Sequence, residues 1–158
     1  MRILGIDPGL SGTGWAVLND NNELVSHGVL NFRSDKLSFQ KRAMQYGRAI
    51  RDIQNSNGIQ MAGIEYPAFF DSAGGTMVAK KGDLLKLTFL VGIIYSYLRR
   101  NPQTKVLLVP VHEWKGQLPK LVVIQRIKMH YGSRVTRNLK SHDWDATGIA
   151  MHLGGIRI

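Results

Sequence analysis

Acidic side chains that stand in apolar surroundings are the residues of this sequence best suited to chemistry. Only 11 Asp and Glu residues occur against 21 Lys and Arg, and three of the acids, Asp7, Glu65 and Asp145, have apolar neighbours in the chain. An unpaired carboxylate in such a place would be costly, so each is expected to meet a positive partner. Oxygen ligands that converge from separate elements are what Mg²⁺ requires, and two such ions could stabilise both the attacking and the leaving oxygen of a phosphoryl displacement. These acids therefore predict a divalent-metal site for phosphodiester chemistry.

The fourth ligand is expected from the last helical segment, which begins near His142. His142 and Asp145 are spaced i, i+3 and share a helix face, whereas Asp143 points elsewhere if the helix has already started. We therefore favour His142 as the ligand and interpret Asp143 as a first-turn acid favoured by the helix dipole. Imidazole is softer than Mg²⁺ prefers, so Mn²⁺ would substitute well, and a later helix start could bring in Asp143 instead. The remaining histidines have no partner at metal-ligand spacing and are interpreted as ordinary residues: His27, His112, His130 and His152.

Structural roles compete with the metal interpretation for each acid. Asp7 could cap the turn at Pro8, and Glu65 could form a salt bridge with one of the many lysines. A serine or cysteine nucleophile is not supported, because the chain has no cysteine and no G-x-S-x-G motif.

Strand and helix patterns predict one α/β domain over residues 1–158 that brings these acids together. Strands are predicted at Arg2–Asp7, Thr13–Leu18, Glu23–Asn31, Gln60–Tyr66 and Lys105–Val109. Helices are predicted from the N-cap Ser38 to Gly58, and at Leu84–Leu98, Pro119–Tyr131 and His142–Leu153, with an exposed loop at Ala68–Asp83 and a basic connector at Arg134–Lys140. The first and fourth strands end in carboxylates, at the edge where open α/β sheets usually bind ligands.

The charge balance favours a polyanionic partner. A formal net charge of +10 and a pI near 10.2 give the surface a positive potential that suits nucleic acid. The longest apolar stretch, Leu84–Leu98, is interrupted by Lys86 and is shorter than the roughly 20 residues that span a bilayer. Asp7 interrupts the N-terminal apolar run before a signal peptide could form. We therefore expect a cytoplasmic protein with no membrane partner and no small-molecule substrate.

Several motifs together resemble a known family, the RuvC-type Holliday-junction resolvases. The matching segments are Gly5-Ile6-Asp7-Pro8-Gly9, Gly12-Thr13-Gly14-Trp15, Ile64-Glu65 and His142-Asp143-Trp144-Asp145-Ala146. Actin-like ATPases also begin with a D-x-G motif, but the order and spacing of four elements over nearly the whole chain are specific. The resemblance implies an RNase H-like fold with a five-stranded mixed sheet flanked by helices, a homodimer, two Mg²⁺ ions per active site, and symmetric nicks across a four-way junction.

The resemblance also implies roles for individual residues of the site. Asp7 would bridge both ions, Glu65 would hold one, and His142 with Asp145 would complete the set. Lys120 is similar to the family's active-site lysine, which stabilises charge on the reacting phosphate. A solvated lysine in the first turn of a helix is the structural alternative.

DNA contacts are implied next to the acids. Phe69 and Phe70 follow Glu65 where the family carries aromatic residues that stack on bases, and Lys80, Lys81 and Lys115 are predicted to contact DNA beside them. The link after Lys115 is shorter than the family's usual glycine-containing stretch, a compact form that resembles phage-borne members. Further candidates for phosphate contacts are Lys36, Lys41, Arg42, Arg134, Arg137 and Lys140.

The expected function is structure-selective cleavage of branched DNA, in a bacterial or phage-infected cell. A metal-activated water would attack the phosphate in line and leave 5′-phosphate and 3′-hydroxyl ends. A homodimer is expected through the apolar stripe of the second helix, although that stripe could instead pack on the sheet. Three alternatives stay open: a related nuclease acting on structured RNA, a non-catalytic junction-binding module, and an actin-like ATPase, which is the weakest because that fold needs two such domains.

Overall fold

One mixed sheet lies at the centre of the computed structural model, which describes residues 1–32, 37–67 and 82–158. Within these ranges the strands are β1 (Ile3–Asp7), β2 (Thr13–Leu18), β3 (Leu24–Leu30), β4 (Met61–Tyr66) and β5 (Lys105–Pro110). Their order across the sheet is β3-β2-β1-β4-β5; β1, β2 and β3 pair antiparallel, whereas β4 runs parallel to both β1 and β5. The predicted five-stranded mixed sheet is confirmed.

Helices cover both faces of this sheet. In the described part of the chain they are α1 (Phe39–Asn57), α2 (Asp83–Leu98), α3 (Val111–Trp114), α4 (Lys120–Thr136) and α5 (Ser141–Leu153). The Ser38 side chain accepts a hydrogen bond from the Lys41 amide at the start of α1, and Gly58 ends it in the left-handed conformation at φ 60°. None of the helices in these ranges is long and apolar enough to cross a bilayer.

Most element boundaries lie within one residue of the sequence prediction, and the larger differences fall in the segments after β5 and after Gly132. No helix was predicted for the segment directly after β5, but Val111–Trp114 forms the short helix α3. The helix expected to stop at Gly132 does break there, where φ is 80° and ψ is 155°, a backbone conformation that glycine tolerates, and a short helical segment then runs to Thr136. Of the loop expected at Ala68–Asp83, residues 68–81 lie outside the described part, and Asp83 begins α2.

Alternate residues of β1 face different helices. Leu4 and Ile6 pack in an apolar cluster with residues of α1 and α2. Ile3 belongs instead to a second cluster that includes Ile149 of α5. Since side chains in a strand alternate between faces, the side packed by α1 and α2 is called the helix-pair face, and the opposite side is called the α5 face.

Glycines on the α5 face allow α5 to lie unusually close to the sheet. A Cβ atom at Gly5 would lie 2.1 Å from the carbonyl oxygen of Ala146, and a Cβ atom at Gly14 would lie 2.2 Å from that of His142. Neither position could carry a side chain unless α5 moved outward. The first turns of α5 are therefore held directly against β1 and β2.

Candidate active site

Asp7 and Glu65 lie on the α5 face because of their positions in two neighbouring strands. Gly5 and Gly63 pair directly in the parallel β1–β4 ladder. Asp7 and Glu65 each follow two residues later and so point to the same side as these glycines. The close approach of α5 then brings His142 and Asp145 to the same edge of the sheet.

Asp7 and His142 form a buried pair at the centre of this edge. Asp7 Oδ2 lies 2.6 Å from His142 Nδ1, and Asp7 is only 7% exposed. Burial raises the pKa of the Asp7 carboxyl, against the opposing effects of the His142 hydrogen bond and the Lys120 charge. The hydrogen bond to Asp7 raises the pKa of His142. Both side chains therefore hold a proton to a higher pH than they would when free in solution.

Lys120 and Asp145 form the second pair. Lys120 Nζ lies 2.6 Å from Asp145 Oδ2 and also donates to the backbone oxygen of Ser141 at 3.0 Å and to its Oγ at 3.1 Å. The other carboxylate oxygen of Asp145, Oδ1, is buried and has no hydrogen-bond partner. One oxygen of Asp145 is therefore neutralised by an ammonium group and the other lacks a positive or donating neighbour.

Glu65 is held by a tryptophan that sequence reasoning did not assign to the site. Trp114 Nε1 donates to Glu65 Oε2 at 3.0 Å. Burial, and next the negative charge of Asp7, raise the pKa of Glu65 to about 7; the Lys115 charge acts in the opposite direction. Asp145 also raises this pKa, so the three carboxylates act on one another electrostatically.

Asp143 contacts a different strand. Its Oδ2 atom lies 3.0 Å from His27 Nδ1 on β3 and accepts a hydrogen bond from the Lys140 amide at 3.3 Å, which caps α5. Asp143 is 2% exposed, and its Oδ1 has no hydrogen-bond partner. His27, interpreted from the sequence as an ordinary residue with no partner at metal-ligand spacing, thus has a structural contact as the partner of this buried acid.

The predicted ligands are suited to divalent cations, although they are not arranged around one. Among residues 1–32, 37–67 and 82–158, no three His, Asp or Glu side chains are grouped closely enough to hold a metal ion. Each predicted ligand is instead paired with a protein donor: Asp7 with His142, Asp145 with Lys120 and Glu65 with Trp114. The partnerless oxygen of Asp145 and the raised pKa values of Asp7 and Glu65 are features that a bound cation would relieve. Oxygen and imidazole donors of this kind fit Mg²⁺ or Mn²⁺.

The predicted DNA contacts are only partly described. Phe69, Phe70, Lys80 and Lys81 lie outside the described residues, as does Lys36. Lys115 lies at the site, with its Nζ atom 5.0 Å from the centre of the Trp114 ring. The remaining phosphate-contact candidates are exposed or half-exposed: Lys41, Arg42, Arg134, Arg137 and Lys140.

Comparisons with known proteins place this chain in a family. No model of a protein family matches the chain. A curated relative from Ehrlichia ruminantium, named crossover junction endodeoxyribonuclease RuvC, is 38% identical over 71 residues; that match covers 41% of this chain and less than half of the relative, 44%. A relative of the same name from Chelativorans sp. is 30% identical over 130 residues, which cover 78% of this chain and 75% of the relative.

A solved structure of a protein with the same name as these relatives has a similar fold. The Thermus thermophilus RuvC structure in complex with Holliday junction substrate superposes with a TM-score of 0.77 at 18% identity, covering 99% of this chain and 98% of that chain. This likeness confirms the predicted RuvC-type fold. Because the Chelativorans match extends over three quarters of that relative, the chain belongs to the crossover junction endodeoxyribonuclease RuvC family.

Proposed function

We propose that this chain is a structure-selective endodeoxyribonuclease that resolves four-way DNA junctions by phosphodiester hydrolysis. The observation that carries the proposal is the meeting of Asp7, Glu65, His142 and Asp145 at one edge of the sheet, in a chain of the RuvC family. Three electrostatically coupled carboxylates at a buried edge are unfavourable for stability, which supports a functional role. The net charge of +10 supports a polyanionic substrate.

We propose that the four side chains hold two Mg²⁺ ions, for which Mn²⁺ substitutes because of the imidazole ligand. When bound, such cations supply positive charge that stabilises the oxygens entering and leaving phosphorus. Asp7, which is hydrogen-bonded to His142 and electrostatically coupled to Glu65 and Asp145, would help to hold the ions. Glu65 would hold one ion, and the partnerless Oδ1 of Asp145 offers a ligand that needs no existing contact to be broken.

The hydrolysis itself is a simple exchange at phosphorus. A water oxygen forms a bond to phosphorus in line with the P–O3′ bond, that bond breaks, and the water proton ends on the 3′-oxygen. The products are a 5′-phosphate and a 3′-hydroxyl. Lys120 donates to Asp145 in the protein alone. With a cation held at that acid, the Lys120 ammonium would be available to donate to the phosphate and stabilise its developing charge.

Paired cuts need two active sites, and we propose that a homodimer supplies them. The apolar stripe of α2 that was expected to form the dimer packs inside the protein instead, where Val91, Ile94 and Leu98 are buried in the helix-pair cluster. A dimer through α2 would therefore use another side of the helix, where Leu85 is 74% and Phe89 is 44% exposed. Burying them against a second copy would remove apolar surface from water. Sedimentation at about micromolar concentration should give a dimer, and a Leu85→Glu, Phe89→Glu variant a monomer; a wild-type monomer would count against this assembly.

The test of the function is incubation with a synthetic four-way DNA junction and Mg²⁺. We expect symmetric paired nicks in opposing strands, no cleavage in EDTA, and little cleavage of linear duplex of the same sequence. Preferential cleavage of folded RNA would favour the RNA-processing alternative, and tight junction binding without cleavage would favour a binding module. A junction-cleaving enzyme would act where the DNA of a bacterium or its phage is found, in the cytoplasm.

A further inference from the structure

Trp114 lies beside the carboxylate cluster and has no part in the hydrolysis described above. The side chain is 4% exposed, and its Nε1 donates to Glu65 Oε2 at 3.0 Å. Indole nitrogen is a donor only, with a single hydrogen to give. The single hydrogen-bond donor of this buried side chain is therefore used by one carboxylate oxygen of Glu65.

The indole ring is fixed from α5 as well as from its own helix. Its Cζ3 atom lies so close to the backbone of α5 that a Cβ at Gly148 would be 2.4 Å away. Gly148 follows Asp145 by one turn on the same helix. The Lys115 ammonium, 5.0 Å from the ring centre, adds a cation–π contact. The position of the donor is thus tied to the helix that carries His142 and Asp145.

We infer that Trp114 is a positioning residue that holds Glu65 Oε2 by its indole N–H and so leaves Oε1 for a divalent cation shared with Asp7. This inference rests on the proposed metal-dependent function. Carboxylates that bind metals are usually oriented by a hydrogen bond from a neighbouring group, and removing such a bond weakens metal binding. The indole also links the Glu65 carboxylate to α5, so that ligands from β4 and α5 keep one relative position.

A purely structural role for Trp114 makes a different prediction. A large buried aromatic residue contributes to stability through its apolar area, and phenylalanine would retain most of that area. A positioning role depends on the N–H group, which phenylalanine lacks. The Trp114→Phe variant therefore separates the two roles, and thermal unfolding shows whether the variant remains folded.

The experiment measures cation binding directly, by titrating the protein with Mn²⁺ and following the electron paramagnetic resonance signal of the free ion. Trp114→Phe is expected to weaken Mn²⁺ binding by roughly 10-fold. Trp15→Phe is the matched control, because Trp15 packs with the cluster on the helix-pair face, away from the acids; its affinity should stay within about 2-fold of wild type. In a Glu65→Gln background the Trp114→Phe substitution should have no further effect, because the carboxylate that it positions is already lost.

A second measurement follows the nuclear magnetic resonance signal of the Trp114 indole N–H, which is identified because it is missing from the spectrum of Trp114→Phe. This signal should shift when Mg²⁺ binds the wild-type protein. Wild-type binding and junction cleavage, combined with unchanged Mn²⁺ affinity in Trp114→Phe and no shift of the resonance, would overturn this inference and leave the proposed function intact. If the wild-type protein bound neither cation, the inference and the metal dependence of the proposed function would both fail.

Discussion

The two faces of the sheet are built from the same strands and serve different purposes. On the helix-pair face β1 contributes Leu4 and Ile6, both fully buried in an apolar cluster with α1 and α2. On the α5 face the intervening residues of the same strand are Gly5 and Asp7. Both faces therefore stabilise the fold by apolar burial, and the α5 face in addition holds the coupled acids at one edge.

The pattern recurs in β4, where Gly63, Ile64 and Glu65 repeat the order of glycine, isoleucine and acid found in β1. The isoleucine packs on the helix-pair face and the acid points to the α5 face. Because successive residues of a strand point to opposite faces, a substitution can be directed at the packing of the helix-pair face or at the acids of the α5 face. The comparison therefore predicts that stability and activity can be changed separately.

The largest effect is expected from Asp7→Asn on the α5 face. The amide keeps the shape of the side chain but removes the charge that holds cations, so junction cleavage should fall by roughly 1000-fold. Gel assays of nicking at saturating junction measure this loss, and binding assays on the same junction should show affinity close to wild type. Metal-dependent cleavage that survives the substitution would mean that the active site lies elsewhere.

On the helix-pair face, Ile50→Ala should reduce stability and leave the cleavage rate unchanged. Ile50 lies on α1 and is fully buried, so truncation should reduce the free energy of unfolding by about 2–5 kcal/mol through lost burial and a cavity. Cleavage per folded molecule should remain near wild type at a temperature where the variant is folded. Urea unfolding measures the loss of stability, and junction cleavage per folded molecule measures the activity. A fall in cleavage per folded molecule would show that stability and activity cannot be changed separately on the two faces.

The coupled acids should also make stability depend on pH. The folded-state pKa of Glu65, about 7, is above its ordinary value of 4.5, and that of Asp7 is also raised, so the folded chain retains protons that the unfolded chain has released. Without divalent cations, stability should therefore fall as pH rises from about 4.5 through about 7, by an amount on the order of 1–3 kcal/mol. His142 acts in the same sense, because the stabilisation from its raised pKa is present below about 6.5 and is lost as pH rises through the folded value.

Urea unfolding in EDTA at about pH 5 and about pH 8 measures this dependence. Added Mg²⁺ should recover more stability at the higher pH, where the carboxylates are charged, and Glu65→Gln should flatten the profile. Stability in EDTA that increased over this range would contradict the assignment of buried, raised-pKa acids to the α5 face.

The smallest effect is expected from His27→Gln at the far edge of the α5 face. Losing the partner of the buried Asp143 should cost about 1 kcal/mol of stability, while the Lys140 cap is retained. Cleavage should fall by less than about 10-fold, because Asp143 supports α5 without contacting Asp7. His130→Gln on exposed α4 serves as a control and should leave unfolding unchanged within about 0.5 kcal/mol.

Sequence reasoning predicted the parts of this arrangement that local pattern determines. The buried run before Asp7 and the i, i+3 spacing of His142 and Asp145 are visible within a few residues. The contacts that complete the site are not visible in this way, because Trp114 is 49 residues from Glu65 and His27 is 116 residues from Asp143. Neither partner has a local motif, and only the packing of α3 and β3 against the rest of the chain brings them close.

The most direct test of the account is the location of bound cations in crystals grown with Mn²⁺. We expect anomalous scattering peaks within coordination distance of Asp7, Glu65, His142 and Asp145, with Lys120 released from Asp145. Ordered Mn²⁺ bound at other residues, with Asp7 still paired to His142 and Asp145 to Lys120, would contradict the claim that this edge of the α5 face is the catalytic centre.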